Sequence, residues 1–192
     1  MELRLLMTKA SSTAISVVRG IGPGRLDSPT PCTEYDVRGV LNHLILWTGH
    51  RGVLAARKEP IEGPADDHDF TVDPGWAENY AVRSGATAEA WTDPAAWEGQ
   101  TGMSGAGQMP APFVGGILFV EWIFHGWDLA VATGQKPNLD DDLQKAIFDR
   151  VSGMVETARK YKVFGPEVRV PTSAAPFDRA LGLAGRDPDW TP

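Results

Sequence analysis

Apolar side chains recur at helical spacing along most of the chain, which predicts a largely helical protein. In the first such stretch, residues 3–20, the apolar positions form one stripe that ends at a cluster of glycines. The same period continues after two proline- and acid-rich connections. The predicted helices cover residues 3–20, 33–57, 74–91, 114–133, a stretch starting near 140, and a short stretch at 178–183.

Local signals refine the ends of these elements. Thr33 with Asp36 resembles a capping box and places a helix start there. Asp73 followed by Pro74 indicates another start, because proline is tolerated at the first helical position. The glycine-rich segment 92–113 is predicted to be a long loop, and loops of this length are often lids or binding loops. Only 167–170 shows a strand-like alternation.

The order of elements predicts an all-α protein. Four long helices indicate an antiparallel bundle, with a short additional element at the C-terminus. The chain shows no internal repeat and no stretch of linker composition, so residues 1–192 are predicted to form a single domain.

Charge and cysteine usage narrow the function classes. Eighteen basic residues against twenty-five acidic ones give a formal net charge of −7, which argues against nucleic-acid binding. No apolar run approaches the ~20 residues that cross a bilayer, and the N-terminal stretch has spaced apolar positions typical of a helix. We therefore expect no membrane partner and a cytoplasmic location. Cys32 is the single cysteine, which excludes an internal disulfide and a four-cysteine zinc site.

The fourth long helix carries the candidate chemistry. Glu121 and His125 are four residues apart, so both side chains lie on one helical face, and Asp128 follows three residues later. Apolar residues surround them, and a buried carboxylate is costly unless a cation or a strong donor compensates it. His43 lies in an equally apolar part of the second helix.

Two interpretations of these residues remain open at this point. If the two helices face each other, His43, Glu121 and His125 form a metal site with an open position, which suits zinc and also iron(II) or nickel. Alternatively, His125 is a core histidine bonded to Glu121 across one helical turn, and the protein is a plain helical scaffold without metal.

Four further residues have alternative roles. Asp128 orients a ligand histidine, holds a metal-bound water, or is a buried acid bonded to backbone or arginine. His50 lies two helical turns beyond His43 and is either an acid-base group that lines the cavity mouth or a surface or rim residue. His68 lies in an acidic loop, which indicates a solvated surface more than a second metal site. Cys32 precedes a helix N-terminus, which would lower its pKa; it is a nucleophile, a thiol sensor or a buried structural residue.

Two motifs resemble a known family. The stretch T-P-C-T-E-Y-D-V-R-G-V-L-N-H-L at 30–44 and the stretch E-W-I-F-H-G-W-D-L-A-V-A-T-G at 121–134 are similar to signatures of the mycothiol-dependent maleylpyruvate isomerase type of metal-binding domain. The tail, with F-G-P-E-V-R-V-P and L-G-L-A-G-R-D-P-D-W, resembles an actinobacterial subgroup of these proteins. The resemblance implies a DinB-like four-helix bundle with His43, Glu121 and His125 as metal ligands.

The resemblance also implies a function class. It points to a divalent metal, zinc above nickel or iron, and to a transferase or isomerase that uses mycothiol and a small-molecule substrate. Many DinB-like bundles dimerise, so a homodimer is an open expectation. The isomerase has a second domain that contributes to its active site, whereas this chain ends about sixty residues after His125, so the isomerase reaction does not transfer directly. The alternative is a non-catalytic bundle that binds a metal or a small ligand.

Overall fold

A computed structural model of the chain describes residues 2–105, 107–160 and 163–192. Helices dominate these residues, and residues 37–57 are helical without a break. The elements are a 3-10 turn at Leu3–Leu6, α1 (Met7–Arg19), α2 (Val37–Leu44), the π-helical segment (Ile45–Arg51), α3 (Gly52–Arg57), α4 (Trp76–Ala90), α5 (Ala111–Ala132), α6 (Asp141–Lys160) and α7 (Pro176–Leu183). Shorter 3-10 turns lie at Pro23–Arg25, Phe70–Val72 and Pro94–Trp97.

The long helices pack as a bundle. α1 lies against both α4 and α5, while α2 contacts α5 and the π-helical segment contacts α4. α6 and α7 pack against each other, and α6 also contacts α5. This arrangement confirms the predicted all-α, DinB-like four-helix bundle with additional elements at the C-terminal end.

α5 is the central helix of the bundle. Apolar side chains occur all round it, and most of its residues are buried, which is expected of a helix enclosed by others. By length and mean hydropathy, 1.3 over an 18-residue window, α5 could cross a bilayer, but 83% of that window is buried inside the protein. The burial accounts for the hydropathy, since the core helix of a bundle needs the same composition.

Three buried hydrogen bonds join helices of the bundle. Trp122 on α5 donates from its indole to the Ser84 hydroxyl at 2.9 Å, and the Ser84 and Ser11 hydroxyl oxygens lie 2.9 Å apart. Trp91 donates to the Gly52 carbonyl at 2.9 Å, tying the end of α4 to the start of α3. Because unpaired polar groups in a core are costly, these bonds fix how α1, α3, α4 and α5 pack together.

Details of two expected helix starts and one expected strand differ from the structure. The residue that caps α2 is Asp36, whose carboxylate accepts the Gly39 N–H at 2.8 Å, so the predicted capping box beginning at Thr33 is not formed. α4 begins at Trp76 after Gly75 in the left-handed conformation, and Pro74 is therefore outside the helix. Residues 167–170 form no strand.

The glycine-rich segment 92–113 differs from the lid that its composition suggested. It contains two short antiparallel strands, β1 (Gln100–Thr101) and β2 (Met109–Pro110). The segment packs on the bundle through the Thr101 hydroxyl, which donates to the Ala55 carbonyl at 2.7 Å, and through Trp97, which donates to the Trp91 carbonyl at 2.7 Å. The described residues of this segment therefore cover one part of the hydrophobic core.

Candidate metal centre

Three side chains from two helices converge. His43 is on α2, and Glu121 and His125 are on α5. The Nε2 atom of His43 lies 2.6 Å from Oε2 of Glu121, and Nε2 of His125 lies 3.4 Å from the same oxygen. One ligand atom from each of the three residues lies within 4.8 Å of the other two. The structure thus brings together the three residues singled out as candidate ligands.

His43 is held in place by the anchoring of α2. Asp36 caps the helix, and Asn42, the residue before His43, forms hydrogen bonds with the segment that follows α3. The Asn42 amide donates to Asp69 at 3.1 Å, and its carbonyl oxygen accepts the Phe70 N–H at 2.9 Å. The polar residue before the histidine therefore points outward to a loop, while His43 points to α5.

His125 is held by a second carboxylate. Its Nδ1 lies 2.9 Å from Oδ2 of Asp128, which is fully buried. A carboxylate can only accept, so Nδ1 carries the proton and Nε2 presents its lone pair toward Glu121 when the ring is neutral. Arg186 approaches Asp128 from the other side and donates two hydrogen bonds to it. Asp128 thus bonds both to the candidate ligand His125 and to an arginine, so the contacts that two of its expected roles require are present together.

Burial and the neighbouring charges shift the pKa values of Glu121 and His43. Burial raises the pKa of Glu121, but the imidazoles of His43 and His125 lower it by more, so the pKa falls to about 2. Burial lowers the pKa of His43, while the Glu121 carboxylate raises it, and the net shift is upward. Glu121 is consequently an anion at any ordinary pH.

A cavity of about 770 Å³ opens over the three residues. Its walls come from the 31–35 loop before α2, from one face of α5, and from the C-terminal segments 163–166 and 184–186. Most of the wall is apolar, with Val120, Phe124 and Phe164 among the lining residues. The cavity is large enough for a small organic molecule beside the cluster.

The donor set fits a divalent metal ion. Two imidazole nitrogens and one carboxylate are the ligands of many catalytic zinc sites. Bonds of about 2.0–2.1 Å in a tetrahedron place neighbouring ligand atoms roughly 3.3 Å apart, close to the 3.4 Å between His125 and Glu121. His43 and Glu121 are closer than this because a hydrogen bond joins them, and a metal ion would replace that proton.

Cys32 also lines the cavity, but its environment differs from the expected one. Burial raises the pKa of its thiol, and the Asp128 carboxylate raises it further, so the expected lowering by a helix N-terminus is wrong. Ligand atoms of Cys32, His125 and Asp128 also lie within 4.8 Å of one another. In that group both Asp128 oxygens already accept hydrogen bonds from Arg186 and His125, so it is less suited to a metal.

His50 is separated from the cluster. It lines a smaller cavity of about 150 Å³, where its ring stacks on Phe70 at a centroid distance of 5.2 Å. Burial lowers its pKa to about 4, together with the charges of Arg83 and His68. The expected position on the His43 face assumed α-helical winding, whereas residues 45–51 are π-helical and wind more slowly, so the face turns away.

His68 belongs to the loop side of the same small cavity. Its Nε2 lies 3.2 Å from Asp73, and its side chain is 42% exposed. This agrees with a largely solvated residue. The glycine-rich segment 92–113 contributes none of its described residues to the large cavity over the metal cluster.

The C-terminal wall was not foreseen from the sequence. Arg186, Phe164 and Gly165 are far from the motif residues in the chain, and nothing in their local spacing indicates a site. Two weaker signals exist: the tail resembles a subgroup of the family, and in the L-G-L-A-G-R stretch a glycine following an apolar run predicts a helix end.

Comparison with known proteins identifies a family and two relatives of the chain. The family model described as the mycothiol maleylpyruvate isomerase N-terminal domain matches residues 8–130, which include all three candidate ligands. Two proteins of Mycobacterium tuberculosis, from strains CDC 1551 and H37Rv, are each 25% identical over 185 residues, covering 93% of this chain and 94% of theirs. Both carry the name uncharacterized protein. No solved structure matches the chain significantly. The chain belongs to the family of the mycothiol maleylpyruvate isomerase N-terminal domain.

Proposed function

We propose that the protein binds one divalent metal ion, zinc by preference, through His43, Glu121 and His125. The observation that carries this proposal is the convergence of three ligand atoms within 4.8 Å beneath a cavity. The Glu121 carboxylate is ionised and only 17% exposed, and a metal ion would compensate its charge.

We further propose that the bound metal serves a transferase or isomerase reaction that uses a thiol, with mycothiol as the thiol that the family name indicates. A divalent metal ion in this position lowers the pKa of a bound thiol and supplies a Lewis acid at neutral pH. Residues of the chain supply the remaining functions. Asp128 keeps the His125 ring oriented, and the apolar cavity wall around Phe124 and Phe164 excludes water and binds the apolar part of the substrate.

The metal part of the proposal is tested by metal content. Protein prepared without a metal-affinity tag is stripped with a chelator, reloaded with zinc and dialysed, and zinc is measured by mass spectrometry. We expect about one zinc ion per chain in the wild type and almost none in His43→Ala, Glu121→Ala or His125→Ala. His50→Ala is the matched control, since it removes a histidine from the same helical segment outside the cluster.

Two outcomes of this experiment would contradict the metal proposal. Wild-type protein that retains no zinc overturns the proposal, as does His43→Ala protein that retains as much zinc as His50→Ala. Either outcome would mean that His43, Glu121 and His125 form a hydrogen-bonded core cluster and not a metal site.

The thiol part is tested with cobalt in place of zinc. Cobalt(II) absorbs visibly, and a thiolate that binds it adds a charge-transfer band in the near ultraviolet. We expect this band when mycothiol is added to cobalt-loaded wild-type protein, and none with the His43→Ala variant. A protein that holds cobalt tightly but never gives the band would be a non-catalytic metal-binding module, which contradicts the thiol proposal alone.

A further inference from the structure

Arg186 makes a paired contact with a buried carboxylate. Its Nε donates to Oδ1 of Asp128 at 2.9 Å, and its Nη2 donates to Oδ2 at 2.8 Å. The Arg186 side chain is 11% exposed and that of Asp128 is 0% exposed. Two parallel bonds between a guanidinium and a carboxylate fix the orientation of both planar groups.

The same carboxylate reaches the candidate metal ligand. Oδ2 of Asp128 accepts from Nη2 of Arg186 and also from Nδ1 of His125, at 2.9 Å. His125 therefore has its ring plane and its Nδ1–H tautomer set by an oxygen that Arg186 holds in place. Residues behind a ligand histidine commonly act in this way.

The backbone explains why Arg186 can reach this position. α7 ends in a Schellman motif: Gly185 has φ +85°, its N–H donates to the Gly182 carbonyl, and the Arg186 N–H donates to the Leu181 carbonyl at 2.9 Å. The reversal turns the chain toward α5, and the guanidinium lies 4.9 Å from the centre of the Phe124 ring. This hydrogen-bonded turn thus places the Arg186 side chain against α5.

We infer that Arg186 is a positioning residue for the candidate metal centre, acting through Asp128 on His125. Arg186 lies beyond residues 8–130, the part of the chain that the family model matches, so the C-terminal segment completes a centre whose ligands all come from the bundle. This inference rests on the proposed function for its role, while the contact itself can be tested in metal-free protein.

The first test reads the His125 tautomer by long-range proton–nitrogen NMR in metal-free protein. We expect the Nδ1–H tautomer in the wild type and a mixture of tautomers in Arg186→Met. Arg159→Met is the matched control: Arg159 ties the same C-terminal segment through the Leu183 carbonyl and Glu167, without a hydrogen bond to Asp128. The control should keep the wild-type tautomer. If Arg186→Met keeps it as well, the inference is overturned.

The second test measures zinc affinity. Loss of a partner behind a ligand histidine typically costs about 10–100-fold in metal affinity, and we expect a loss in that range for Arg186→Met. Arg186→Lys, which keeps the charge but cannot form both bonds, should lie between the wild type and Arg186→Met. If Arg186→Met fails to fold, Arg186→Lys carries both tests, with the same expected direction.

A double-mutant cycle separates positioning from general stability. In an Asp128→Asn background, Arg186→Met should cost little further zinc affinity, since the carboxylate through which Arg186 acts is gone. Equal losses in both backgrounds would overturn the inference. Wild-type protein that binds no zinc would refute the proposed function, and the tautomer measurement would still decide the role of Arg186.

Discussion

The Nε2 atom of His43 lies 2.6 Å from Oε2 of Glu121, although the two residues are 78 positions apart in the chain. The carboxylate accepts, so in the metal-free protein this nitrogen carries a proton. The bond joins α2 to α5 at the bottom of the large cavity. A metal ion that uses both atoms would displace this proton: from a neutral ring it moves to Nδ1, and from a doubly protonated ring it is released to solvent. Metal binding therefore weakens at pH values where the His43 ring is doubly protonated.

We expect the zinc affinity of the protein to rise with pH through the pKa of His43. That pKa is raised above its ordinary value of 6.5, so the ring keeps its extra proton at higher pH than a free histidine would. Below this pKa, each pH unit should cost about tenfold in affinity for the one proton displaced. Glu121, with a pKa of about 2, stays ionised throughout. Competition with a chromophoric chelator between about pH 5.5 and 8 measures the slope.

A flat affinity over that range would contradict this ionisation scheme. The slope should also be specific to the cluster. His50→Gln, which changes a histidine outside the large cavity, should reproduce the wild-type slope.

The centre should not depend on the Cys32 thiol. We expect Cys32→Ser to keep the zinc content of the wild type, because in the group that includes Cys32 the Asp128 oxygens are already hydrogen-bonded. We also expect the Cys32 thiol to react slowly with iodoacetamide at neutral pH, since burial raises its pKa and the thiolate is the nucleophile. Zinc lost in Cys32→Ser would instead assign the metal to Cys32, His125 and Asp128.

The sequence predicted what local spacing encodes. Glu121 and His125 share a face because four residues make about one helical turn, and that relation holds wherever the helix packs. The approach of His43 to Glu121 and His125 depends on how α2 packs against α5, which is a matter of tertiary structure. The apolar pattern alone left it open, and the family signatures at 30–44 and 121–134 made it an expectation.

Two features escaped prediction for physical reasons. Arg186 meets Asp128 across 58 residues, and nothing in the tail composition indicates which buried acid a turn will face. His50 was expected on the same helical face as His43, two turns away, because seven residues nearly complete two α-helical turns. The π-helical winding of Ile45–Arg51 breaks that relation, and such segments leave little trace in an apolar pattern.

His50 should make metal-free protein less stable in mild acid. In the folded chain burial lowers its pKa to about 4, while in the unfolded chain it titrates near 6.5. Between these values the unfolded state binds more protons, so stability is lost as pH falls from about 6.5 to 4. We expect about 1 kcal/mol from this group, because partial exposure screens it.

Urea unfolding of metal-free wild-type and His50→Gln protein at several pH values measures this contribution. The His50→Gln variant should show the flatter dependence over that range. His43 titrates in both proteins, so its contribution cancels in their difference. A difference that does not change with pH would contradict the lowered pKa of His50.

The C-terminal wall should be sensitive to a single methyl group at Gly182. A Cβ there would lie 2.6 Å from the Val168 carbonyl oxygen and 2.5 Å from a Val170 methyl, and the Val168 N–H donates to the Gly182 carbonyl at 3.0 Å. A backbone oxygen has little freedom to move, so Gly182→Ala should cost about 1–3 kcal/mol of unfolding free energy. Gly153→Ala is the control: Gly153 is within α6 and has open space around it, so alanine should add about 0.5–1 kcal/mol. Urea titrations followed by circular dichroism compare the three proteins. If Gly182→Ala is as stable as the wild type, residues 168–170 do not pack against α7, and the wall that carries Arg186 lacks the rigidity its position requires.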